Sequence, residues 1–253
     1  MAGTDARKAE ALTDGPVIIL VEPQLGENIG MVARAMLNCG LTQMRLVNPR
    51  DGWPNEDAIN PASGATIVLD NAAVFNTTEA AIADLNRVYA TTARPRGMIK
   101  DVVTARAAAA EMRAIIGQGD RCGLLFGRES KGLNNEDVVL ADAILQVPLN
   151  PAFTSLNLAQ AVLLAAYEWY QSGDSSPDSE LVLHKTRPAD KKDLIGLFEH
   201  LEKELVDVGF LYPPDKAPAM IRNLRNLFQR ARLTEQEVRS LRGVIACLRN
   251  PKG

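Results

Sequence analysis

The chain has 253 residues, 46% hydrophobic and 23% charged with a formal net charge of −3, which suits a globular protein with one large domain and a smaller one. No apolar run approaches the ~20 residues of a membrane span, and the polar opening MAGTDARKAEALTDG lacks a signal-peptide core, so residues 1–15 read as a disordered lead. Cys39, Cys122 and Cys247 lie far apart and outside any CxxC, which speaks for a reducing, cytoplasmic setting and against structural zinc.

In chain order, PVIILVE (residues 16–22) is a β-branched run bounded by turn residues and reads as a buried strand. After PQLGENIG comes MVARAMLNCG, a helix stopped by Gly40. QMRLVN (residues 43–48) is a second strand, and residues 49–64, with Pro49, Gly52, Pro54 and Pro61, predict an irregular loop with one helical turn. Helical signal returns at residues 62–68 and 79–85. RVYATTARPRG (residues 87–97) reads as a strand running into an arginine-bearing loop, and VTARAAAAEMRAIIG (residues 103–117) as a helix closed by glycine. RCGLLFGRESKGL is strand then loop, residues 134–140 a short helix, and AILQVP (residues 143–148) the last strand. Strands alternating with helices predict an α/β fold, a parallel sheet covered on both faces. Ligands of such sheets collect beyond the C-terminal ends of the strands, which here carry ENIG, TTARPRG, FGRESKGL and PLNPAFTSLN.

The stretch VPLNPAFTSLNLAQAVLLAAYEWY (residues 147–170) combines an extended start with a helix. Pro148 and Pro151 hold the backbone open, and Thr154, Ser155 and Asn157 are residues of the capping type. Leu156, Ala159, Leu163, Ala166 and Tyr167 then fall on one helical face, widened by Val162 and Leu164, which predicts a buried helix with its positive end toward a polar site. GDSSPD opens a linker over residues 173–187. Beyond it only helices are predicted, over residues 190–208, 220–231 and 234–248. From Lys216 onward nine Lys or Arg face two acidic residues, an excess of seven positive charges that suggests a polyanionic partner or a solvated helical face.

Singly the loops are weak signals. LGENIG does not match GxGxxG, and GRESKG is neither a Walker A loop nor a nucleophile elbow. The two histidines, His184 and His200, come late, so Ser155 has no base near it in sequence. Together and in this order, ENIGMVARAM, TTARPRG, FGRESKGL and PLNPAFTSLNLAQAV resemble the signature segments of the SPOUT superfamily of RNA 2′-O-methyltransferases. Within it the chain is most similar to the TrmJ branch, which methylates the ribose of nucleotide 32, cytidine or uridine, in the tRNA anticodon loop. The tail RNLRNLFQRARLTEQEVRSLRGVIACL resembles the extension of that branch.

The resemblance implies a SPOUT-type domain over residues 16–172 with a C-terminal trefoil knot, and a helical tRNA-binding extension over residues 188–253. It implies S-adenosyl-L-methionine held by Thr91, Thr92 and Ala93, by Gly127 and Glu129, and by Val147, Thr154, Ser155 and Leu156. Gly127 reads either as a simple turn glycine or as one that lets the backbone approach the ligand. Asn28, Gly30 and Arg34 match the motif NxGxxxR, whose arginine serves the ribose hydroxyl. A guanidinium stays charged, so Arg34 is expected to orient the hydroxyl and stabilise its developing charge rather than remove its proton. Asn28 and Ser155 would position Arg34 and the ribose, or else cap helices. Arg94, Arg96 and Lys131, with Arg222, Arg225, Arg239 and Arg242 of the tail, would grip tRNA phosphates. The resemblance further implies a homodimer through the knot helices and no metal. The rival functions are methylation at another tRNA or rRNA position, and tRNA binding without catalysis.

Overall fold

The computed structural model describes residues 14–92, 98–183 and 185–249. They form two compact units divided between Ser175 and Ser176, inside residues 173–187, and each unit has its own core. The first unit runs β1 (Val17–Val21), α1 (Gly26–Asn38), β2 (Met44–Val47), a 3-10 turn (Glu56–Ala58), α2 (Ile59–Ala62), α3 (Thr66–Asp70) and β3 (Ala73–Phe75). It continues with α4 (Thr78–Ile82), β4 (Arg87–Thr91), β5 (Asp101–Thr104), α5 (Ala105–Gly117), β6 (Cys122–Phe126), α6 (Asn135–Leu140), β7 (Ala143–Gln146) and α7 (Leu158–Gln171). The second unit holds α8 (Lys191–Asp207), α9 (Ala217–Arg230) and α10 (Glu235–Arg249).

The strands pair in parallel in the order β3-β2-β1-β6-β4-β7-β5. Side chains alternate across the sheet. Ile18, Leu20, Leu124, Phe126 and Leu145 face a core shared with α1, α5 and α7, while Val17, Ile19, Val88, Leu125 and Ile144 face one shared with α4 and α6. Burial of each of the larger side chains contributes about 1.5–3 kcal/mol. The sheet is therefore covered on both faces, as the alternation of elements predicts. β4 and β5 follow each other in sequence yet do not touch, because β7 lies between them, Tyr89 and Asp101 both pairing with Ala143.

Several elements differ from the sequence reading. α1 begins at Gly26, not after Gly30, so ENIG is helical. Its glycines are explained by packing: a Cβ at Gly30 would lie 2.1 Å from the Ala58 carbonyl oxygen, and one at Gly26 2.6 Å from Asn55 Oδ1. Residues 62–68 are not one helix, because Ser63 (φ 48°) and Gly64 (φ 94°) are left-handed and part α2 from α3. The sequence pattern predicts no strand at β3 or β5, yet both form as edge strands, Val103 belonging to β5 while Thr104 caps α5. α7 starts at Leu158 and buries a different face from the expected one. Leu158, Val162, Ala165, Ala166 and Trp169 (1% exposed) point inward, whereas Leu163 (40%) and Tyr167 (51%) are exposed. On a helix apolar nearly all round, periodicity does not single out a face; the Trp169 ring, stacked under the Arg113 guanidinium at 3.6 Å, marks the inner side.

In the second unit Leu194, Leu197, Phe198 and Val238 form the core, and Phe228 of α9 stacks near Phe198. Thr234 and Glu237 make the capping box that opens α10, Glu237 N donating to Thr234 Oγ1 and Thr234 N to Glu237 Oε2.

Candidate active site

β4, β6 and β7 are parallel, β4 pairing with both of the others, so the segments leaving their C-terminal ends are brought together. Thr91 Oγ1 donates to the Leu125 carbonyl at 2.7 Å, and Thr92 N reaches the Leu145 carbonyl at 3.4 Å. These bonds pin the end of β4 to its neighbours. Just beyond lies a cavity of about 320 Å³. Thr91 and Thr92 line it from one side, Gly127, Glu129 and Lys131 from a second, and Val147, Thr154, Ser155 and Leu156 from a third. Phe126, Leu145 and Leu158, which the sequence reading had not assigned to the site, give it an apolar lining. Ala93, Arg94 and Arg96 lie outside the described residues.

Gly127 answers to the backbone. A Cβ there would lie 2.0 Å from Leu133 N and 2.1 Å from the Gly132 carbonyl carbon, so the turn 127–133 closes only over a glycine. Gly132 N donates back to the Arg128 carbonyl at 2.7 Å, and Gly132 itself has φ 70°. Arg128 is anchored outside the turn by Glu22 at 2.9 Å.

Asn28, Arg34 and Ser155 have different surroundings. Asn28 is buried (5% exposed) and caps nothing: its Nδ2 donates to Glu129 Oε1 at 2.8 Å, and its Oδ1 accepts from Asn157 Nδ2 at 3.1 Å. Arg34 lies six residues on, on the exposed side of α1 with Glu27 and Met31, makes no ion pair or hydrogen bond to the described residues, and is not among the residues lining the cavity. Ser155 lines the cavity, exposed, and the cap of α7 is Asn157 alone, its Oδ1 accepting from Ala159 N at 2.8 Å while Gln160 Oε1 accepts from Asn157 N at 3.1 Å. Gln24, absent from the sequence reading, donates its backbone N–H to Glu129 Oε2 at 2.9 Å. It lies 105 residues from that partner, and nothing in the local pattern marks it.

Of the tail arginines, Arg225 forms a two-point pair with Glu202 at 2.6 and 2.8 Å, and Arg239 pairs with Glu235 one turn away. Arg222 and Arg242 are exposed and form no ion pair among the described residues. Burial pushes the thiols of Cys39 and Cys122 up to about 11, which removes them as nucleophiles near neutral pH. Among the described residues no group of His, Cys, Asp and Glu is disposed to hold a metal ion, and no helix is long and apolar enough to cross a membrane.

The profile of the SpoU rRNA Methylase family matches residues 15–167, and that of the tRNA methyltransferase TrmJ C-terminal domain matches residues 192–252. The chain is 35% identical to a tRNA (cytidine/uridine/adenosine-2′-O-)-methyltransferase TrmJ of Pseudomonas aeruginosa, over 90% of this chain and 91% of that one. It is 37% identical to a tRNA (cytidine/uridine-2′-O-)-methyltransferase TrmJ of Klebsiella pneumoniae, over 91% of this chain and 95% of that one. The crystal structure of TrmJ from Z. mobilis ZM4 superimposes with a TM-score of 0.81 at 48% identity, covering 93% of this chain and 99% of that one. With both of its units matched in this way, the chain belongs to the SpoU methylase family, in its TrmJ branch.

Proposed function

We propose that the protein transfers the methyl group of S-adenosylmethionine to the 2′-hydroxyl of a tRNA ribose, at nucleotide 32 of the anticodon loop. One observation carries the reading: segments 91–92, 127–131 and 147–156, distant in sequence, meet around a single cavity at the ends of adjacent parallel strands. Its volume of about 320 Å³ falls within the range of ~300–1,000 Å³ typical of small-molecule sites. The residues fit the cofactor. Phe126, Leu145 and Leu158 offer apolar contact to an adenine ring, and the glycine-containing turn 127–132 puts backbone donors and acceptors at the rim. Thr91, Thr92, Ala93, Gly127, Val147, Thr154 and Leu156 would hold it.

The bound sulfonium supplies an electrophilic methyl group, so the protein's part is alignment and charge. Arg34 orients the 2′-hydroxyl and its neighbouring phosphate and stabilises the negative charge that develops on the oxygen as its proton passes to phosphate or water. Ser155 and Lys131 hold ribose and phosphate. Arg34 is exposed and is not among the residues lining its own cavity, and Met31, Leu163, Tyr167 and Tyr170 are exposed apolar side chains on α1 and α7. Both features support a homodimer through those two helices, with Arg34 serving the partner's cavity. The placement of β7 between β4 and β5 supports a knotted C-terminal part. The second unit holds tRNA through its arginines, in the cytoplasm, where tRNA is processed.

The test is transfer of tritiated methyl groups to tRNA transcripts with cytidine, uridine or adenosine at position 32, beside one with 2′-deoxyribose there. Transfer to the ribose transcripts and none to the deoxy one is expected. Equal transfer to the deoxy transcript moves the target elsewhere, and no transfer to any RNA leaves a binding protein. Arg34→Ala should lower turnover by about 100-fold or more, as loss of a transition-state donor does, with S-adenosylhomocysteine affinity by calorimetry within about three-fold of the parent. Collapsed affinity would make Arg34 a cofactor ligand instead.

A further inference from the structure

A series of hydrogen bonds with one fixed direction joins the second and third walls of the cavity to α1. It starts from a backbone donor, Ala159 N–H, which is taken by Asn157 Oδ1 at 2.8 Å. With its oxygen engaged, Asn157 donates through Nδ2 to Asn28 Oδ1 at 3.1 Å, and Asn28 donates through Nδ2 to Glu129 Oε1 at 2.8 Å. The other carboxylate oxygen, Oε2, accepts a second backbone donor, Gln24 N–H, at 2.9 Å. Gln24 Oε1 then accepts from Ser130 N–H at 3.2 Å, clasping the residue beside Glu129. Backbone N–H groups stand at both ends, and neither can become an acceptor. Each amide between them therefore has one admissible orientation, and position 129 must accept twice. A carboxylate does so with both oxygens. Asn28 is buried at 5% exposure, so a reversed amide there would leave polar atoms facing each other with no water to satisfy them.

We propose that Glu129 is a positioning residue rather than a ligand of cofactor or substrate. Its charge is engaged from both sides by Gln24 and Asn28, and it ties the cofactor turn to α1, which carries Arg34, and through Asn157 to the first turn of α7. Gln24 closes the series from the far side and shares the role. Methyl transfer depends on placing groups to a fraction of an ångström, so a loosened tie costs turnover before it costs folding. The inference rests on the functional reading above.

The test exchanges the direction of the bonds in the full chain. Glu129→Gln sets a donor where two acceptors are needed and should lower kcat by about 20-fold, the scale of a lost bond to a charged group. Asn28→Asp sets two carboxylates against each other and should do comparable harm. The double variant Glu129→Gln/Asn28→Asp restores a consistent series: the amide at 129 accepts from Gln24 N–H and donates to the carboxylate at 28, which accepts from Asn157. Its kcat and its melting temperature should both recover, kcat to within about three-fold of the parent. Gln24→Leu removes only the acceptor for Ser130 N–H and should cost about five-fold in kcat. With an active parent, a double variant no better than the singles overturns the inference alone, since the charge would then be needed at 129 itself. An unchanged kcat in Gln24→Leu removes Gln24 from it. A parent that transfers no methyl group sinks the functional reading and the catalytic role of the series with it, and recovery of the double variant's melting temperature would then leave a purely structural tie.

Discussion

Gly127 has room for a hydrogen and nothing more, because the Gly132–Leu133 peptide crosses within about 2 Å of where a Cβ would stand. Gly127→Ala is therefore expected to push the turn 127–133 off the cavity, lowering the melting temperature by several degrees and S-adenosylhomocysteine affinity by about ten-fold. Calorimetry and thermal denaturation read both, and unchanged affinity would detach the turn from the ligand. A second residue with a measurable consequence is Asp84. Two hydrogen bonds from Arg45, at 2.5 and 2.8 Å, hold its carboxyl at about 2 instead of the usual 3.8. A carboxyl depressed by folding stabilises the native state above its unfolded value, and that contribution fades as pH falls through the folded value. Melting temperature should thus drop between about pH 4 and pH 2 in the parent and drop less steeply in Asp84→Asn. Thr91, Gly127 and Leu156 were named through the family resemblance of the strand-end loops, and all three line one cavity. Gln24, Glu129 as its partner, and the Arg45–Asp84 pair were not legible, since each depends on contacts 39 to 106 residues away that no window of sequence contains.

At the scale of elements, α7 shows where pattern reading stops. Its sequence LAQAVLLAAYEWYQ is apolar on most sides, so a helix was certain and its inner face was not. The face left outward, with Leu163, Tyr167 and Tyr170, is the one proposed to meet a second copy. Replacing Tyr167 with Glu should convert the dimer into a monomer, read as a halved mass by light scattering, with the helical circular dichroism unchanged. A parent that is already monomeric would remove this interface. β5 was missed for a related reason: Asp101–Thr104 runs straight into the helix that Thr104 caps, and four residues with one cap look like the first turn of α5. The glycines of α1 misled in the other direction. Gly26 and Gly30 lower helix propensity, yet the packing of residues 55–58 against that helix requires them.

For the whole molecule, alternation of strands and helices was enough to predict the sheet and its two covered faces, while the strand order was not, because it is set by pairings between distant segments. The division into two units allows each to be tested separately. If the helical unit holds tRNA through unpaired charge, Arg222 and Arg242 are its working residues and Arg225, locked to Glu202, supports the unit's own packing. The double variant Arg222→Ala/Arg242→Ala should weaken tRNA binding and flatten the plot of log K against log salt by about 1.5 units, whereas Arg225→Ala should mainly lower the unit's melting temperature. Equal slopes in parent and double variant would take these arginines out of the RNA interface.

The position of β7 has an outcome for the life of each new copy. A ribosome delivers the amino end first, so β4, β5 and β6 are made before the strand that must lodge between β4 and β5. Until it lodges, the stretch carrying Val147 and Thr154 has nothing to close against, and the chamber lacks a side. If the cavity takes the proposed methyl donor, copies in which β7 has not yet lodged should be unable to hold it, and uptake of ligand would report completed assembly.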